Sequence, residues 1–187
     1  MIEIAIKYMT IQKPIKDLPT RIFDAFCEGI LDTAVFYSSD DVYLYRLDEY
    51  KQVLERLSKD TDIHVIYYDF ADVQASIYQH FLTHMIAAVC PNQADSCYSL
   101  RVVFEQIISG NQRYLLILDN VECLYQPSNL QSPETKDFIG SLRTCLDVYR
   151  INIRTAMFCR DTVNLRKLYH DYREPFYRFG YLQEVGR

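Results

Sequence analysis

The chain has 187 residues, 49% of them hydrophobic, and a formal net charge of −5. That length builds one domain with a proper core, and that composition excludes an intrinsically disordered chain. The acidic balance argues against a dedicated electrostatic nucleic-acid binder, although nine Lys/Arg against five Asp/Glu from Arg143 to Arg187 give the C-terminal part the opposite sign.

In chain order, residues 1–30 read as a mostly helical lead-in broken near Pro14 and Pro19, with Thr20 placed to cap a helix entering Arg21–Ile22–Phe23. Residues 31–187 then form the core of the single domain. Thr33 to Ser38 is β-branched and aromatic and predicts a buried strand. After the turn Ser38–Asp41, Val42 to Tyr45 fits either a hairpin strand or the approach to a helix. Leu47, Tyr50, Val53, Leu54 and Leu57 carry helical spacing up to Ser58. Ile63 to Asp69 predicts a second strand, followed by a long helix through Ile77, Phe81, Met85 and Val89 that stops at Pro91–Asn92. Leu100 to Ile108 is a further helix ended by Ser109–Gly110. Leu115–Leu116–Ile117–Leu118 is the most hydrophobic strand, closed by Asp119–Asn120. A polar loop spans Gln126 to Pro133, and a helix runs from Phe138 to Tyr149. Ile153 to Cys159 is a fourth strand, Leu165 to Tyr172 a helix, and Tyr177 to Val185 holds a last strand.

Strands and helices alternate, and the strands are continuously apolar. The pattern predicts an α/β fold with a mostly parallel central sheet of about five strands and helices on both faces. None of the six cysteines forms a CxxC pair, and no signal peptide or long apolar span is evident, so a reduced, cytoplasmic protein with no membrane partner is expected. His80 and His84 share a helix face at i, i+4, but no third metal ligand accompanies them and they read as polar helix surface. No GxSxG elbow is present.

The segment Arg113 to Leu124 reads RYLLILDNVECL. An apolar strand ending in an acid is the Walker B arrangement, in which the carboxylate faces a crevice and can hold Mg²⁺; an Asp capping the next turn gives the same letters. The string LLILDNVECL resembles the LLVLDNVEHL type of sequence in STAND ATPases, the signalling branch of the AAA+-like NTPases. About thirty residues on, INIRTAMFCRDTVNLR, Ile151 to Arg166, resembles that family's next strand and its sensor arginine, here Arg160. The resemblance covers roughly Thr33 to Val185 and implies a P-loop NTPase-like three-layer sandwich.

In that family the first strand leads into GxxxxGK[ST], whose glycines bring bare backbone N–H groups to the phosphates. Here the first strand leads into Ser39, Asp40, Asp41, Val42, Tyr43, Leu44 and Tyr45. No glycine occurs between Ile30 and Ser109, and the next lysine is Lys51. Asp40 and Asp41 place negative charge where a triphosphate would sit. The expectation is a non-catalytic ATPase-like module with a degenerate nucleotide site (Asp119, Asn120, Glu122, Arg160, Asp40, Asp41), no cofactor, and protein partners or copies of itself in a signalling or defence-type assembly. An Asp119–Arg160 ion pair at the old site is one role for those residues, and Glu122 could stand in as a base. Two alternatives stay open: nucleotide held against Asp119 by a remodelled loop, and nucleic acid held by Arg143, Arg150, Arg154, Arg160, Arg166, Arg173 and Arg178 interleaved with tyrosines.

Overall fold

The computed structural model describes residues 18–72, 76–89, 99–110, 112–126 and 133–186. The helical reading of residues 1–17 and the stop at Pro91–Asn92 lie outside them. The chain runs α1 (Leu18–Cys27), β1 (Thr33–Tyr37), a 3₁₀ turn (Asp41–Tyr43), α2 (Tyr45–Lys59), β2 (Ile63–Asp69), a 3₁₀ turn (Phe70–Asp72), α3 (Ile77–Val89), α4 (Leu100–Ser109), β3 (Arg113–Asp119), a 3₁₀ turn (Val121–Tyr125), α5 (Pro133–Val148), β4 (Ile153–Cys159), α6 (Thr162–His170) and β5 (Tyr181–Glu184). The five strands form one sheet in the order β2-β3-β4-β1-β5, parallel at every pairing.

Parallel strands need long crossovers, and the helices that supply them cover both faces. Successive strand residues therefore belong to different cores. Leu115 and Ile117 of β3, with Ala156 and Phe158 of β4, face Ile22, Phe26, Leu47 and Leu54 of α1 and α2. Leu116, Leu118 and Met157 face Phe81, Phe104, Leu142 and Leu165 of α3 to α6. Phe36 and Phe158 stack across β1 and β4 with centroids 5.0 Å apart. Each such side chain contributes about 1.5–3 kcal/mol by leaving water.

Several boundaries differ from the sequence reading. Thr20 already lies within the described part of α1, Leu18–Cys27, and does not cap it. Val42 to Tyr45 is not a hairpin strand. It leaves a 3₁₀ turn capped by the Asp40 carboxylate on Val42 N and enters α2. Helix α5 is already formed at Pro133, five residues before Phe138. Helix α6 begins at Thr162 because Asp161 accepts from Val163 N at 2.8 Å and Asn164 N at 3.2 Å.

Strand β5 depends on Gly180, whose φ is +81°. A Cβ there would come within 2.9 Å of the Thr33 carbonyl oxygen. Only glycine lets the chain turn this close to β1 and pair Ala34 to Tyr37 with Tyr181 to Glu184.

Candidate functional site

In an open parallel sheet the carboxyl ends of the strands are where loops and helix starts converge. Strand β3 delivers Asp119 there, and β2, its in-register neighbour, delivers Asp69 beside it. Strand β4 ends one residue before Arg160, and the first turns of α2, the helix after β1, add Asp48 and Lys51.

Asp119 is only 1% exposed. Its Oδ2 accepts from Lys51 Nζ at 2.7 Å and Tyr67 Oη at 3.1 Å, and its Oδ1 accepts from Asn120 N at 3.0 Å and from Arg160 Nη1. Arg160 Nη2 lies 3.4 Å from Oδ2 and donates to Asp48 Oδ1 at 2.7 Å. A carboxylate offers about four acceptor positions, and five donors converge on this one. Lys51 and Arg160 neutralise Asp119 and Asp48, which offsets the cost of burying the Asp119 carboxylate, while Asp69 beside them adds one further negative charge.

Asn120 extends the cluster. Its φ of 51° is left-handed, a conformation asparagine tolerates better than most residues. From there its Nδ2 donates to Asp69 Oδ1 at 2.7 Å and its Oδ1 accepts from Arg160 Nη1 at 3.1 Å. Burial raises the demand on Asp119, but the hydrogen bonds from Arg160 and Lys51 outweigh it and hold its carboxyl below the ordinary aspartate range. Burial and the Asp119 charge push the Tyr67 hydroxyl up to about 12, so it stays a donor.

Glu122 is buried behind this cluster on the turn after β3. Its Oε1 accepts from Arg160 N at 3.1 Å, and its Oε2 has no partner among the described residues. Burial raises its carboxyl above the ordinary glutamate value, against the lowering effect of its own and the Arg160 backbone N–H groups.

Asp119, Asn120, Glu122 and Arg160 are thus brought together, and the Asp119–Arg160 ion pair is present. Asp40 and Asp41 make no hydrogen bond or ion pair to the cluster among the described residues. Asp40 caps its own turn and lines a separate concavity of about 470 Å³ with Glu184. A larger hollow, about 1120 Å³ beside α4 and α5, contains none of the cluster residues. Sequence reasoning missed Asp48, Lys51, Tyr67 and Asp69. The i, i+3 spacing of Asp48 and Lys51 on the helix after the first strand was the available signal.

Several of the C-terminal arginines are engaged within the chain. Arg154 is tied to Asp32 and Phe26 O, Arg143 lies 3.8 Å over the Phe179 ring, and Arg173 pairs with Asp171. His80 Nδ1 meets Tyr68 Oη at 2.9 Å, and no group of three His, Cys, Asp or Glu able to hold a metal occurs among the described residues. No described helix is long and apolar enough to cross a membrane.

No family model and no curated protein matches the chain. Solved structures do. The chain is similar to the Aeropyrum pernix ORC2 protein, determined as ADPNP–ADP complexes (TM-score 0.62, 16% identity, 91% of this chain and 46% of that one). It is similar to Cdc6p from Pyrobaculum aerophilum (TM-score 0.61, 12% identity, 93% and 46%) and to the Aeropyrum pernix ORC1 protein, determined in complex with DNA (TM-score 0.59, 13% identity, 92% and 45%). The chain therefore has an α/β, P-loop NTPase-like fold, and it spans less than half the length of these proteins.

Proposed function

We propose that this chain is a non-catalytic module of the P-loop NTPase-like fold that works by binding protein partners or copies of itself, in an assembly of the signalling or defence type that its STAND-like segments suggest. The observation that carries this reading is the occupancy of Asp119. The acid at the end of β3 spends its acceptor positions on Lys51, Arg160, Tyr67 and Asn120 N. A Mg²⁺ ion would have to displace two cations from a buried carboxylate, and the neighbouring turn offers Asp40 and Asp41 in place of a glycine-rich cradle. Lys51 and Arg160, the cations that could meet phosphates, are committed to the same acid.

Isothermal titration with Mg²⁺-ATP tests the reading. No saturable heat is expected from the wild-type chain, and no phosphate release. Micromolar binding would overturn it in favour of a nucleotide-binding protein whose ligand draws Lys51 and Arg160 off Asp119, a state consistent with the nucleotide complexes of the ORC2 neighbour.

A further inference from the structure

We propose that His80 and His84 form a two-histidine site for a divalent transition-metal ion of the zinc class, with the hydroxyl of Tyr68 positioning the first of them. The two side chains stand four residues apart on α3 and share one helix face. At that spacing Cβ atoms lie about 5–6 Å apart, and two imidazoles can reach one ion. Spacing alone does not make a site, and in the sequence nothing ties the pair to the rest of the fold. Strand β2 supplies that tie.

Tyr68 of β2 is 2% exposed. Its ring is set edge-on in the core against Phe70 and Phe81, with centroids 4.9 and 4.8 Å away. Its hydroxyl meets His80 Nδ1 at 2.9 Å. The same ring packs against both imidazoles, 5.8 Å from the His80 centroid and 5.2 Å from that of His84. One fixed phenol therefore braces both histidines. Helix α3 is itself anchored through buried Ile77, Phe81, Leu82, Met85 and Ile86. His80 and His84 are exposed, so an ion can reach them from solvent.

The bond at Nδ1 decides which nitrogen is left for a metal. Burial, with the Asp69 charge beside it, holds the Tyr68 hydroxyl above the ordinary phenol range, so it keeps its proton. Its oxygen can accept from Nδ1–H of His80, and Nε2 then carries the free electron pair. Histidines that ligate metals are held in this manner, by a second group on the ring nitrogen turned away from the ion. Helix α3, IYQHFLTHMIAAV, carries no lysine or arginine to repel a cation. Imidazole selects zinc, nickel and copper over magnesium and calcium, and two histidines leave the other positions of the ion to water. The site is independent of the Asp119 cluster. Tyr67 contacts Asp119 from one face of the sheet, and Tyr68 points to the core on the other.

The test is a ZnCl₂ titration of the ¹⁵N-labelled full chain at neutral pH, read from long-range ¹H–¹⁵N spectra of the imidazoles. Saturable movement is expected at Nε2 of His80 and His84, with His64 and His170 as unmoved internal references. Magnesium chloride at the same concentrations should move none of them. His84→Ala, at an exposed position that leaves the fold intact, should weaken binding at least about tenfold. Tyr68→Phe keeps the ring and removes the hydroxyl, and a loss of about tenfold in zinc affinity is expected. A merely structural hydroxyl would change stability and leave that affinity untouched, which would overturn its positioning role. Zinc that moves neither Nε2, that moves all four histidines alike, or that binds His84→Ala as tightly as the wild type, as an ion held by cysteines would, overturns the site itself.

Discussion

At the scale of single residues, Asp119 decides how the carboxyl end of the sheet behaves. Asp119→Asn keeps the shape and strands Lys51 and Arg160 beside an uncharged partner. With those side chains 18% and 24% exposed, the loss should reach about 2–4 kcal/mol, read from urea denaturation at neutral pH. Because the folded carboxyl sits below its unfolded value, its stabilisation is complete above the ordinary aspartate pKa and vanishes as pH falls through the lowered one. The gap between wild type and variant should therefore close in acid; a gap independent of pH would contradict the ion-pair account. Glu122 has the opposite sign. Its raised folded value means that the folded state holds the proton longer, so stability drops as pH climbs from the ordinary glutamate pKa through the raised one. Glu122→Gln should remove that drop, and thermal melts across the window would show whether the two curves part. Asp119, Asn120, Glu122 and Arg160 were legible because a strand-end acid and a strand-end arginine announce themselves in the string. Lys51 and Asp48 were not, since their role depends on which strands lie side by side.

At the scale of elements, turn chemistry sets the boundaries. Asp161→Ala removes the carboxylate that caps α6 and should cost about 1 kcal/mol, with faster amide exchange confined to that helix's first turn. Gly180→Ala forces a side chain into left-handed backbone and against Thr33, and about 1–3 kcal/mol should be lost with β5 protection lost first. Equal protection across β1 and β5 in that variant would refute the tight-approach argument. Strands β2 and β4 were readable to the residue because apolar, aromatic and β-branched side chains fill most of each, with His64 and Arg154 the interior exceptions. The start of α2 was not, because a 3₁₀ turn held by Asp40 looks in sequence like any short polar break followed by aromatics.

At the scale of the whole molecule, alternation of strand and helix implied a parallel sheet with two covered faces, and the sheet has both. The order β2-β3-β4-β1-β5 was invisible, since it is fixed by register between strands far apart in the chain. Strands β1, β3 and β4 supply side chains to both cores, so neither core can melt while the other stays intact. Unfolding followed by tyrosine fluorescence and by circular dichroism should give coincident urea transitions, and separated midpoints would show that the faces are independent.

The place of β5 has a consequence for biosynthesis. Its partner β1 leaves the ribosome well before it: Val185, buried at 1% in the core that holds Phe36 and Tyr50, comes almost the full described length later. Until then one flank of β1 offers open backbone to any extended segment nearby. The nascent chain must be shielded along that flank while the rest of the domain is being made.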